Sequence, residues 1–135
     1  MWYNDSGWDK MNIKWFSKEN NKSAITVHSN NITLSKNASD LFSGAYGILF
    51  GIDNDTNSLI MKKVSTEQIE NNEYKKDEVY ILTIKPTYGR VNSKQLISLL
   101  SEHYDFDFKK NQSYKFDAKW HNGENMLIVN MNGGR

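Results

Sequence analysis

Four basic side chains stand beside the turns and helix starts of this sequence: Lys36, Lys85, Arg90 and Lys94. Cations at such places bind phosphate groups well, because the backbone N–H groups of turns and helix starts add to the positive field. Together they predict one continuous basic edge that can bind phosphate groups. The alternative is that they are ordinary solvated surface charges.

Aromatic residues are concentrated in the first 22 residues, where Trp8, Trp15 and Phe16 accompany a further tryptophan and a tyrosine. Large aromatic side chains are costly to leave in water, so this arm either packs on the rest of the chain or binds a partner. Trp8, Trp15 and Phe16 are therefore the candidate anchors for a protein partner, since tryptophan dominates many binding hot spots.

The remaining reactive residue types form no catalytic or metal-binding pattern. The three histidines are far apart in sequence, and the segment 53–57 lacks the glycine and the distal glutamate of an EF-hand loop. Asp105 and Asp107 lie near His103, but no nucleophile accompanies them. The chain has no cysteine, which excludes disulfides and thiol chemistry. We therefore expect a protein that is not an enzyme and has no metal and no cofactor.

Composition limits the remaining possibilities. The chain has 135 residues, enough for one domain, and a formal net charge of +1, so any contact with nucleic acid must come from a local patch. No apolar run is long enough to cross a bilayer, and the N-terminus shows no secretory signal. The expectation is a cytoplasmic protein.

The chain repeats part of itself 58 residues later. Ser35-Lys36 and Ser93-Lys94 are each followed by apolar residues at the same offsets. The matched pairs that follow are Ala38 and Leu96, Leu41 and Leu99, Phe42 and Leu100, and Tyr46 and Tyr104. Such a period indicates one supersecondary unit used twice. It predicts that Leu41 and Leu99 are buried at equivalent places.

The elements that must position these residues follow from alternation, caps and turns. Each repeat predicts two strands, a helix capped by serine and a closing hairpin. The predicted strands are 23–28, 32–34, 46–52, 58–64, 79–85, 90–92, 114–120 and 126–131, and the helices run from Ser35 to Ser43 and from Ser93 to His103. Residues 86–89 are predicted as a turn, and Asn122-Gly123 as a type I′ turn.

These elements predict an α+β, strand-rich fold of two tandem β-β-α-β-β units packed as an internal pseudo-dimer. The expected organisation is an aromatic N-terminal arm at 1–22 and a single domain at 23–135. Within the domain, repeat 1 covers about 23–64 and repeat 2 about 79–131, joined by an acidic linker at 65–78 that is mainly a solvated connection, with a short helical turn as the alternative.

The segment Gly89-Arg90-Val91-Asn92-Ser93-Lys94, followed by Leu96 and Leu99-Leu100, resembles the core of AbrB/SpoVT-type swapped-hairpin domains. Repeat 1 is similar but lacks the Gly-Arg pair, and both repeats have serine where that family has proline. The resemblance implies two interleaved units and DNA binding. The order Ile32-Thr33-Leu34-Ser35-Lys36 is also similar, more loosely, to small proteins carried by plasmids and phages of AT-rich bacteria.

The sequence therefore leaves two functions as alternatives. The first is a non-enzymatic DNA-binding regulator of AbrB-like type from a mobile element, with a homodimer as one possible state. The second is a protein-binding inhibitor, of anti-defence or antitoxin-like type, that uses the aromatic arm to bind a host protein.

Overall fold

A computed structural model describes Asn12 and residues 23–133. Its main feature is one eight-stranded antiparallel sheet that curls around an apolar core. The strands are β1 (Ser23–His28), β2 (Asn31–Ser35), β3 (Gly47–Asp53), β4 (Ser58–Val64), β5 (Thr83–Ile84), β6 (Tyr88–Asn92), β7 (Ser113–His121) and β8 (Met126–Val129). The α-helices are α1 (Lys36–Leu41), α2 (Thr66–Glu70) and α3 (Lys94–His103).

The strand order is β3-β4-β8-β7-β1-β2-β6-β5. Curvature brings the two ends of the sheet together, because Ile48 of β3 exchanges two backbone hydrogen bonds of 2.8 Å with Tyr80, shortly before β5. Gly47 allows this approach, since a Cβ there would lie 2.8 Å from the Tyr80 carbonyl oxygen. The predicted α+β, strand-rich class is confirmed.

Alternation places one set of strand side chains in the core and the other on the outer face. In β2, Ile32 and Leu34 are buried, and Thr33 between them is half-buried on the outside. Strand β6 follows the same rule, with Gly89 and Val91 inside and Arg90 outside. A side-chain period of two residues therefore decides which residues can meet a ligand.

The helices begin where their serine caps predict. Ser35 Oγ accepts a hydrogen bond from Ala38 N, and Ser93 Oγ accepts one from Leu96 N at 3.0 Å. Helix α1 packs against β6 at Gly89, where an added Cβ would lie only 2.6 Å from Ser39 Oγ. Gly89 is therefore required by close packing between a helix of the first half and a strand of the second.

The prediction that Leu41 and Leu99 are buried was wrong. Leu41 is half-buried and Leu99 is 48% exposed. Helix α3 buries Leu96, Ile97 and Leu100 instead. Residue 99 lies on the flank of the helix, because a turn of 3.6 residues carries it away from the stripe that faces the sheet.

Two predicted turns and one predicted strand were also wrong, and the linker is partly helical. The predicted turn at 86–89 holds the first two residues of β6, and the predicted strand 79–85 shortens to β5. The 65–78 linker contains α2, whose Ile69 packs with Val64 and Val79 in a second small core. The turn before β8 is a 3-10 helix with Asn125 in the left-handed region at φ 52°, so it is not type I′.

Candidate functional site

The four predicted cations are not one compact group. Lys36 and Lys94 are the first residues of α1 and α3, which follow β2 and β6. Because β2 and β6 are antiparallel, with Ser35 opposite Tyr88, the two helix starts lie at opposite ends of the strand pair. Five residues at about 3.4 Å each separate those ends by roughly 17 Å.

Of the four predicted cations, Lys36 is the least available to bind a phosphate group. Its ammonium lies 3.2 Å from Asp40 Oδ2, and the two side chains are 60% and 58% exposed. A surface pair of this kind contributes only a few tenths of a kcal/mol, about 0.3–0.5 in a helix. It still places a negative charge beside the cation, which weakens Lys36 as a phosphate ligand.

Lys85 and Arg90 lie close together on the last two strands of the sheet. Lys85 follows β5 directly, and its backbone N–H donates to the Tyr88 carbonyl at 2.7 Å. Arg90 is in the middle of β6 on the outer face, opposite Thr83 of β5. The structure thus brings Lys85 and Arg90 together near the end of the strand pair where Lys36 lies.

The described residues satisfy only some of the interactions that the Arg90 guanidinium can make. Its Cζ lies 5.9 Å from the centroid of the Tyr88 ring, which is a cation–π distance. Its Nε is buried and, among the described residues, has no hydrogen-bond partner. A buried donor without a partner costs about 1–3 kcal/mol. An anion can accept a hydrogen bond from Nε, and so remove that cost, only after the Arg90 side chain moves to expose it.

Strand register adds neighbours that the sequence did not indicate. On the outer face Arg90 is opposite Thr33 as well as Thr83, Thr33 is opposite Thr26, and Thr26 is opposite Lys115 of β7. Alternation places each of them on the outer face. Their alignment depends on pairings between strands distant in sequence, so no sequence signal could have shown it.

Two histidines and one carboxylate make hydrogen bonds within the fold. His28 Nε2 lies 3.3 Å from Thr33 Oγ1, and His103 Nε2 lies 2.7 Å from Asn57 Oδ1. Asp107 Oδ1 accepts hydrogen bonds from the backbone of its own loop. Within the described part of the chain, no group of three or more histidines and carboxylates is placed to hold a metal ion.

A cavity of about 500 Å³ lies beside the end of α3. Its walls include the rings of Tyr104, Phe106, Tyr114 and Phe116, which pack on one another. Burial raises the pKa of the Tyr104 hydroxyl above its ordinary value. The hydroxyl therefore stays protonated and donates to the Asn57 carbonyl at 3.0 Å, which ties α3 to the β3–β4 turn.

Apolar side chains are exposed elsewhere on the surface. Ile81 is 58% exposed, Ile84 47% and Leu99 48%. Leu99 borders a groove of about 200 Å³ together with Phe50 and Tyr80. Exposed large apolar side chains are typical of protein-binding surfaces when they are contiguous. The predicted anchors Trp8, Trp15 and Phe16 lie outside the described residues.

Comparisons with known proteins supply no relative: no family model, no curated protein and no solved structure matches this chain. In the part that the structure describes, no helix has the length and apolar character needed to cross a membrane. Function must therefore be inferred from the geometry of the site.

Proposed function

We propose that the protein is a non-enzymatic, DNA-binding regulator of AbrB/SpoVT type that acts in the cytoplasm. Lys85, Arg90 and Lys94 would bind phosphates of duplex DNA, with a smaller contribution from Lys36. The observation that carries this proposal is the position of Arg90 on an outer strand face, with a guanidinium whose Nε has no hydrogen-bond partner among the described residues. Arginine offers Nε and a terminal nitrogen side by side, which matches the oxygens of a phosphate.

The finer architecture that we propose is a pair of interleaved β-β-α-β-β units, one from β1 to β4 and one from β5 to β8. The order of neighbours supports it. With Tyr80 bridging to β3, the sheet order closes into a ring. The counterparts are β1 and β5, β2 and β6, β3 and β7, and β4 and β8. If each strand is exchanged for its counterpart, every pair of neighbouring strands in the ring is again a pair of neighbours, as a two-fold arrangement requires.

Helix packing supports the same arrangement. Helix α1 contacts β6 of the other unit, and α3 contacts β2 of the other unit. Residues 58 apart in the two helices are buried in pairs: Ala38 with Leu96, Ser39 with Ile97, and Phe42 with Leu100. Strands β2 and β6, which precede the two helices, match at an offset of 57 residues instead of 58. The offset of 57 aligns their buried positions.

Substitution of Arg90 tests the proposed function. We expect Arg90→Ala to weaken binding to duplex DNA by about 10- to 100-fold, since a charged hydrogen bond contributes about 1.5–3 kcal/mol. The slope of log affinity against log salt should become shallower by about one, because one phosphate contact is lost. Fluorescence anisotropy with a labelled duplex at several salt concentrations measures both quantities.

Two control variants make this test specific. Arg90→Lys keeps the charge but lacks Nε, so it should restore the salt slope without restoring the full affinity. Lys63→Ala removes a cation from β4, a strand that pairs with neither β5 nor β6, and should change neither quantity. If Arg90→Ala binds as tightly as the unchanged protein, or if the unchanged protein binds no duplex at low salt, the regulator proposal is wrong.

The second candidate function is a protein-binding inhibitor from a phage or plasmid. The exposed Ile81, Ile84 and Leu99 favour it, because large apolar side chains exposed to water are typical of protein-binding surfaces when they are contiguous. For this function we expect affinity capture from host lysate, with nuclease treatment, to recover one stoichiometric protein. The double variant Ile81→Glu, Ile84→Glu should then lose that protein, whereas Arg90→Ala should retain it.

A further inference from the structure

We propose that duplex DNA lies across the strands on a transverse row of side chains, Lys115, Thr26, Thr33, Arg90 and Thr83, and that Lys115 is a second phosphate ligand. This inference rests on the proposed DNA binding and names the path of the bound phosphates. It adds to the proposed ligands a track of side chains that runs across the strands through Arg90.

The row is built by strand register. Lys115 is opposite Thr26, Thr26 opposite Thr33, Thr33 opposite Arg90, and Arg90 opposite Thr83. Directly opposed residues point to the same side of a sheet, so all five side chains share the outer face. Lys115 and Thr83 are exposed, and the three between them are half-buried.

The chemistry of the row suits a polyanion. It has a cation on β7 and another on β6, with two hydroxyl groups between them and a third beyond Arg90. Threonine hydroxyls and basic side chains are common ligands of DNA phosphates. Within residues 23–133 the single ion pair joins Lys36 to Asp40, so no carboxylate offsets Lys115 or Arg90 at contact distance.

Acidic residues near the row are few. The nearest carboxylate on the same face of β7 is Asp117, two residues from Lys115 and opposite Ala24. It lies in the next row of the sheet, roughly 7 Å along the strand. Other titratable groups beside the row are His28, which contacts Thr33 Oγ1 at 3.3 Å, Tyr88, whose ring lies 5.9 Å from Arg90 Cζ, and Lys85, two residues from Thr83. The balance of charge along the row itself is therefore positive.

The dimensions of the row also agree with a duplex. Three strand spacings of about 4.8 Å separate Lys115 from Arg90, giving roughly 14 Å along the sheet. Curvature of the sheet makes the straight-line distance shorter. The major groove of B-DNA is about 12 Å wide, so the two cations can reach phosphates on its opposite rims. The hydroxyl groups between them would face the groove.

The chain offers a matched control for Lys115. Lys119 is the same residue type on the same strand and the same face, and it is also exposed. It is opposite Ile128 of β8 and lies outside the row. Four residues at about 3.4 Å place it roughly 14 Å from Lys115. The two variants Lys115→Ala and Lys119→Ala therefore remove the same charge from two different places.

We expect Lys115→Ala to weaken binding to a 20-base-pair duplex by roughly five- to tenfold at 0.1 M salt, and to make the salt slope shallower by about 0.9. Lys119→Ala should change the affinity by less than about twofold. Lys115→Arg should retain both the affinity and the slope. Circular dichroism melting of each variant shows whether the fold is intact.

Each outcome decides between the two proposals. If Lys115→Ala and Lys119→Ala weaken binding equally, or neither weakens it while Arg90→Ala does, the transverse row is wrong and the proposed function stands. If the unchanged protein binds no duplex even at low salt, both proposals fall. Selective loss in Lys115→Ala, together with loss in Arg90→Ala, supports the row.

Discussion

Replacement of Leu100 by alanine should lower the free energy of unfolding by about 2–5 kcal/mol, which is the usual cost of removing a buried leucine side chain. Leu100 is 4% exposed and belongs to the main core, between α3 and the curled sheet. Close-packed surroundings collapse only partly around the missing atoms, so a cavity remains. Urea unfolding followed by circular dichroism measures the loss.

The neighbouring leucine is the control for this prediction. Leu99 is on the same helix and has the same side chain, but it is 48% exposed. Leu99→Ala should therefore change stability by no more than about 0.5–1 kcal/mol, because little apolar surface leaves a buried environment. Equal losses in the two variants would mean that α3 packs on the sheet with a different face.

Replacement of Gly89 by valine should lower the free energy of unfolding by about 1–3 kcal/mol or more. A Cβ at this position would lie 2.6 Å from Ser39 Oγ, 3.0 Å from Leu82 Cδ1 and 3.1 Å from Ser39 Cβ. Helix α1 must then move away from β6, which opens the core between them. Thermal unfolding should show a melting temperature several degrees lower.

Gly51 provides the comparison for Gly89. It is also a strand glycine, in β3, but an added Cβ there would have nothing within 4 Å. Gly51→Ala should leave stability unchanged or raise it by up to about 1 kcal/mol, because glycine loses more conformational freedom on folding. If Gly89→Val melts at the same temperature as Gly51→Ala, α1 does not pack on β6 as closely as the structure indicates.

Local patterns in the sequence predicted the elements well. Alternation of apolar and polar residues identified β1, β4 and most of β7, and serine caps identified the starts of α1 and α3. Such signals are carried by neighbouring residues, so they need no knowledge of the rest of the chain. Turns were harder. Tyr88 and Gly89 follow a Pro-Thr pair typical of a turn, yet pairing with β2 draws both into β6.

Burial of the helices was predicted only in part. The repeat correctly matched positions 38 and 96 and positions 42 and 100, but it also placed residue 99 in the core. Periodicity gives the width of an apolar stripe, and the direction in which the stripe points depends on what the helix packs against. For α3 that direction is decided by the inner face of the curled sheet, which includes the distant strand β2.

The candidate site likewise combines features that local sequence predicts with features that only strand pairing sets. Local sequence is enough to place Arg90 in a strand-like segment beside a capped helix, and to place Lys36 and Lys94 at the starts of the two helices. The pairing of Lys36 with Asp40 is also local, because the two residues are one helical turn apart in α1. The position of Lys94 at the far end of the strand pair and the alignment of Lys115 with Arg90 follow only from the pairing of strands in the folded chain. Alternation is a local property of each strand, whereas register between β7, β1, β2 and β6 is set by how the whole core packs, and a shift of one residue would turn each of these side chains to the other face.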